Sequence, residues 1–155
     1  MAAQGDSSNA PRIVAGVDGS PSSRAALRWA VRQAVLTDGT VEAVMAWQQT
    51  FVPGGHGGAP TALISDVNYQ DLSEKALAEI IGEVVGAGDQ ARVRPLVTEG
   101  HASHVLLDAA AGADLLVVGS RGHGSFADAV LGSVSQNCVH HARCPVLIMR
   151  GAERA

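Results

Sequence analysis

Two hydrophobic rhythms alternate along this chain. Arg12–Val17 (RIVAGV), Thr40–Trp47 (TVEAVMAW), Arg92–Thr98 (RVRPLVT), Leu115–Val118 (LLVV) and Pro145–Met149 (PVLIM) are short runs rich in β-branched residues, and they read as strands. Between them, apolar residues return at helical spacing. Leu27, Ala30, Val31, Ala34 and Val35 form one stripe, behind Ser20 as N-cap and Pro21 at the first helical position, with Gly39 as the stop. Leu77, Ile80, Ile81, Val84 and Val85 form a second stripe in a helix expected over about Asp66–Val85, ended by Gly86 and Gly88. Ala102–Ala111 carries Val105, Leu106 and Ala109 inward and stops at Gly112. A last helix is expected over Val134–Ala142, with Ser133 as N-cap and Gln136 completing a capping box. Strand and helix alternate five times, which predicts one α/β domain: a doubly wound, five-stranded parallel sheet with helices on both faces. Pro95 removes a backbone donor and so places the third strand at a sheet edge.

In such sheets, ligands bind beyond the carboxyl ends of the strands where the strand order reverses. Two strand ends here carry unusual residues: Gly16-Val17-Asp18-Gly19-Ser20 after the first and Gly119-Ser120-Arg121-Gly122 after the fourth. If these flank the reversal, the order is 3-2-1-4-5 and both line one crevice. The second belongs to a longer stretch, Gly119–Ser133 (GSRGHGSFADAVLGS), that runs from a buried strand into a helix N-terminus. Gly119, Gly122 and Gly132 allow close backbone approach, and the helix start offers N–H groups and a positive dipole end to a phosphate. Asp18 would face ribose or base donors, or a metal on the phosphates. The stretch contains no lysine, which excludes a Walker-type loop. Gly122–Ala127 fits GxGxxA, but no acidic residue closes a following strand about 20 residues on, so a dinucleotide lacks its ribose anchor.

Length and composition narrow the partners. The 155 residues suit one domain, and an apolar fraction of 46% excludes disorder throughout. A net charge of −4 with no Lys/Arg-rich segment argues against nucleic acid. No apolar run approaches the ~20 residues that span a bilayer, so no membrane association is expected. The opening MAAQGDSSNAP has neither a basic nor an apolar region of a secretory signal; residues 1–11 read as a flexible leader to a domain over 12–150. Gln48–Pro60, centred on Gly54-Gly55-His56-Gly57-Gly58, reads as a mobile loop within that domain. Cys138 and Cys144 make no disulfide framework, which fits free thiols and a cytoplasmic protein. His101 and His104, and the adjacent His140 and His141, belong to no metal-ligand motif and read as surface or helix-end residues. Ser120 stands in no GxSxG elbow.

The spacing Gly119-x2-Gly122-x9-Gly132-Ser133, with Asp18 after the first strand and the closing Cys144-Pro145-Val146-Leu147-Ile148, resembles the ATP-binding branch of the universal stress protein family. The resemblance runs from about Arg12 to Arg150. It implies an adenine nucleotide alpha hydrolase-like fold and an ATP-binding regulatory protein of the stress response. It also implies roles by position: Asp18 lies by the nucleoside, with Gly16 and Val17 beside the adenine, Gly19 in the same turn, and Ala46 giving main-chain adenine contacts. Gly119 and Gly122 would approach ribose and phosphate, with Arg121 and His123 in the turn. Gly132, Ser133, Val134 and Ser135 would bind phosphates through N–H and hydroxyl groups, and Mg²⁺ or Mn²⁺ would accompany the triphosphate. Family members dimerise through the last strand, and Val146–Met149 is an apolar edge strand that invites such pairing, so a homodimer is expected. The alternative is a slow ATPase or a nucleotidyl or phosphoryl transferase. Against it, the stretch offers no lysine, no glutamine to orient water, and no general base except Asp18 or His123.

Overall fold

The computed structural model describes residues 9–49, 67–121 and 131–151. In chain order these form β1 (Arg12–Gly16), α1 (Pro21–Thr37), β2 (Thr40–Trp47), α2 (Tyr69–Val84), a 3₁₀ turn (Gln90–Arg92), β3 (Val93–Glu99), α3 (Ala102–Ala109), β4 (Leu115–Gly119), α4 (Ser133–His141) and β5 (Val146–Met149). The sheet order is β3-β2-β1-β4-β5, and every pair is parallel. The strand order therefore reverses at β1, as expected. Ile13 and Val14 pair with Val41 and Glu42 of β2 on one side and with Leu115 and Leu116 of β4 on the other.

The period of two along each strand divides the core into two layers. On one face, Ile13, Ala15, Val41, Ala43, Met45 and Val117 pack against Leu27, Ala30 and Ala34 of α1 and Leu77 and Ile80 of α2. On the other, Val14, Val44, Leu116 and Val118 meet Val105 and Leu106 of α3 and Cys138 of α4. Burial on both faces explains why β1 and β4 read as continuous apolar runs and not as alternating ones. Each fully buried leucine, such as Leu27, Leu77 or Leu116, contributes about 1.5–3 kcal/mol by leaving water.

Helix ends follow local chemistry. Ser20 caps α1 by accepting the Ser23 amide, and Pro21 occupies the first turn, both as expected. The left-handed residue at the end of α1 is Asp38 (φ 53°) and not Gly39. Glycine is needed at 39 for another reason: a Cβ there would stand 2.5 Å from the Pro11 carbonyl oxygen. The α2 helix begins at Tyr69, later than expected, because the Asn68 side chain accepts the Asp71 amide at 3.1 Å and sets the start. The α2 helix closes on an extended Val85 and needs no left-handed glycine, whereas Gly112 (φ 76°) turns the chain after α3. Ser133 is the first residue of α4 and not its cap: Gly132 takes the extended cap conformation, and the Gln136 side chain donates to Leu131 O at 3.2 Å and does not close a capping box.

Pro95 lies on β3, an edge strand, as its missing donor required. β5 forms the opposite edge and is half-buried along its length. At the amino ends of the strands, the Arg12 guanidinium donates to Ala109 O (3.0 Å) and Ala111 O (2.7 Å) and lies 3.5 Å from Glu42, tying the end of α3 to the start of β1. The first eight residues of the expected leader, and residues 50–66 with the glycine-rich loop, lie outside the described residues. No helix among the described residues is long and apolar enough to cross a membrane.

Candidate functional site

Parallel strands all end at one margin of the sheet, and α1, α3 and α4 begin there. β1 leaves the sheet through Val17, whose amide still donates to Val44 O at 2.8 Å. Asp18 then folds back on the start of α1: its Oδ1 accepts the Ser20 amide at 2.9 Å and the Ser20 hydroxyl, and its own amide donates to Ser23 Oγ at 3.2 Å. This is an Asx turn, and the positive φ of Gly19 (85°) completes it at no steric cost. Arg24 fastens the turn from outside by donating to Gly19 O at 3.2 Å while pairing with Glu83 of α2 at 2.6 Å.

β4 leaves the sheet through Gly119. A Cβ there would lie 2.8 Å from both the Ser22 carbonyl carbon and the Ser23 nitrogen, so glycine is required because the first turn of α1 crosses directly over it. The Ser120 amide donates to Met149 O and the Gly132 amide donates to Ser120 O, both at 2.7 Å, which brings the end of β4 beside the start of α4.

Between these two strand ends lies a cavity of about 240 Å³. Gly16, Val17, Asp18, Ala46, Gly119, Arg121, Gly132, Ser133, Val134 and Ser135 line it, so ten of the residues singled out from the sequence meet in one place. Gly19 shapes the turn behind Asp18 and is not among the lining residues. Gly122 and His123 lie outside the described residues. Five further residues complete the wall: Ser23, Val44, Ala102, Leu106 and Val118. Val44, Leu106 and Val118 sit in the apolar pattern of their elements, and nothing in that pattern separates a residue facing a cavity from one facing the core. Ala102 had a usable signal, because it opens the helix that follows β3 and every such junction falls on the same margin.

The cavity has two chemical ends. Val44, Ala46, Leu106 and Val118 form an aliphatic wall suited to a flat, weakly polar ring. The first turn of α4 lines the cavity as well: Gly132 supplies no side chain to cap that helix, and Ser133, Val134 and Ser135 are among the lining residues. The Ser135 hydroxyl donates to Gly119 O at 2.6 Å, so its proton is committed within the protein and its amide is what remains for an anion. Asp18 and Arg121 are the charged residues at the wall. Beneath the helix, burial first and Cys144 second push the Cys138 thiol up to about 11. Cys138 is therefore a protonated packing residue near neutral pH and no nucleophile.

This framework matches the family model described as the universal stress protein family over residues 10–150. The chain belongs to the universal stress protein family. A universal stress protein of Mycolicibacterium smegmatis is 33% identical over 148 residues, a match covering 92% of this chain and 49% of that relative. This universal stress protein chain thus spans about half the length of the curated relatives it matches. Among solved structures, universal stress protein UspA from Lactobacillus plantarum superposes with a TM-score of 0.72 at 24% identity, covering 90% of this chain and 97% of that one. A universal stress protein in complex with cAMP superposes with a TM-score of 0.64 at 25% identity, covering 92% and 98% respectively.

Among the described residues of this universal stress protein, the histidines stand in pairs. The His101 and His104 rings are 5.5 Å apart, with His101 Nδ1 3.0 Å from Ser103 Oγ, and the His140 and His141 rings are 6.4 Å apart. Among the described residues, no group of three His, Cys, Asp or Glu side chains is placed to hold a metal ion.

Proposed function

We propose that this universal stress protein domain is an ATP-binding regulatory module, with the nucleotide held between the end of β1 and the start of α4. One observation carries the reading: the first turn of α4, whose amides receive no side-chain cap, lines the same cavity as Asp18. Adenine lies against Val44, Ala46, Leu106 and Val118, beside the backbone of Gly16 and Val17. Asp18 accepts from the ribose. Gly119, Arg121, Gly122 and His123 follow the sugar and phosphates, and Gly132, Ser133, Val134 and Ser135 receive phosphate oxygens on main-chain N–H groups. The related structure that holds cAMP supports an adenine nucleotide as the ligand class.

Magnesium or manganese fits this donor set as an ion held chiefly by phosphate oxygens. Asp18 is the carboxylate among the lining residues, and such ions commonly take one or two carboxylates together with phosphates. The ion would neutralise triphosphate charge that no lysine here meets. Binding shifts the population of conformers at the cavity mouth, and a protein partner reads the change. Two copies pair through their β5 edges, which are apolar and carry no further strand among the described residues.

Calorimetric titration with ATP and Mg²⁺ tests the site. Asp18→Ala and Gly122→Ala each weaken binding by at least about tenfold, or ~1.4 kcal/mol. Unchanged affinity in both variants removes the assignment. Steady turnover of ATP near ~10 s⁻¹, the common enzymatic median, overturns the regulatory reading in favour of catalysis.

A further inference from the structure

Ser22, the second residue of α1, is not among the residues lining the cavity, yet it grips the segment that leaves β4. Its hydroxyl donates to Arg121 O at 2.6 Å and accepts the Arg121 amide at 3.4 Å, so one side chain meets both main-chain groups of that residue. Serine in the first turn of a helix ordinarily bonds within its own turn. Ser22 instead reaches 99 positions along the chain, and it is 5% exposed. Ser20 duplicates the contact only in part: its hydroxyl reaches Arg121 O at the longer distance of 3.3 Å and is shared with Asp18 Oδ1. From the opposite flank, Ser135 holds Gly119 O at 2.6 Å. The stretch from Gly119 to Arg121 is thus clamped between the starts of α1 and α4.

We propose that Ser22 is a positioning residue that fixes the strand-4 side of the cavity against the strand-1 side, so that Asp18 and the α4 amides address one ligand together. The link is short. Asp18 is bonded to Ser20 and Ser23 of the same turn, and Ser22 lies between those two serines. Removing the hydroxyl leaves the Arg121 carbonyl with only the longer Ser20 contact among these serines, and the segment drifts from α1. The damage falls on the phosphate end, because the aliphatic wall belongs to β2, α3 and the body of β4. The inference rests on the nucleotide reading for the identity of the ligand, but not for the mechanical role.

Ser22→Ala tests it, since alanine has the higher helix propensity and α1 is kept. Ser22→Cys, close in size with a feeble donor, is the second variant. By hydrogen exchange on ligand-free protein, both variants speed exchange at the Arg121 and Gly132 amides by about tenfold, while β1 and β2 are unaffected. By calorimetry, affinity for ATP falls about tenfold while affinity for adenosine stays within about twofold, a split that a general loss of stability does not produce. Unchanged exchange at Arg121 and Gly132, or equal losses for ATP and adenosine, would overturn the proposal. A wild-type protein that binds neither compound strikes down the nucleotide reading instead, and the exchange measurement then decides the role of Ser22 by itself.

Discussion

Gly16 ends β1 directly against Leu106 of α3: a Cβ on Gly16 would stand 3.0 Å from Leu106 Cδ1, and 3.3 Å from Val118 Cγ1. All three residues line the cavity, and the missing side chain at 16 lets Leu106 and Val118 close in on the end of β1. Gly16→Ala asks the tip of Leu106 to yield by a few tenths of an ångström. Gly16→Val asks more than the site can give and costs about 1–3 kcal/mol of overpacking. The expected outcome is that Gly16→Val weakens adenosine and ATP by the same factor. Paired titrations check it, and a loss confined to ATP would contradict the placement of the base.

Arg12 acts at the far margin of the sheet. Its guanidinium satisfies two carbonyls at the end of α3 that the helix itself leaves open. Arg12→Ala should lower stability by about 1 kcal/mol, the group being partly exposed, and leave nucleotide affinity unchanged. Arg12→Lys should recover only part, because one ammonium lacks the planar fork that reaches both oxygens. Urea unfolding followed by circular dichroism measures the loss, with the ATP titration as its control.

Leu77 and Leu72 lie one helical turn and a little apart on α2, with opposite fates. Leu77 is 0% exposed in the layer between α2 and the sheet, and Leu72 is 54% exposed. Leu77→Ala should destabilise by about 2–5 kcal/mol, whereas Leu72→Ala should stay within about 0.5 kcal/mol of the parent. Chemical denaturation of the two variants side by side provides the check.

Cys138 makes stability depend on alkaline pH. Burial favours the neutral thiol in the folded state, with Cys144 adding to the effect, and lifts its pKa from 9.0 to about 11. The unfolded chain therefore releases this proton first as pH rises. Stability is intact below about pH 9, falls through the interval up to about pH 11, and the total loss is about 3 kcal/mol. Cys138→Ala should flatten that decline, measured as unfolding midpoints from pH 8 to 11. At pH 8, iodoacetamide should modify Cys144 before Cys138.

The sequence carried the fold because each buried strand announced itself twice, by its β-branched run and by the turn residues after it. Ser20-Pro21 marked the start of α1, and Pro95 marked an edge. The candidate site was legible where its chemistry was local: Asp18 in its turn, and Gly132 to Ser135 at a helix start. It was illegible where it was made by contact. Gly119 lines the cavity, but the second demand for glycine there, α1 pressing on it, is fixed by residues about 100 positions away. Likewise Ser133 has the composition of a cap, and only the extended backbone of Gly132 shifts the helix start by one residue. Val44, Leu106 and Val118 were hidden by their own type, since aliphatic walls and aliphatic cores are spelled alike.

The two margins of the sheet are chemically unlike. On β3, Pro95 offers no N–H and its neighbour Arg94 is an exposed charge, so that border is blunt. On β5, four half-buried apolar residues stand in a row at the opposite edge. The sheet thus has one border suited to strand addition and one that is not, and any growth by that route would have to start from β5.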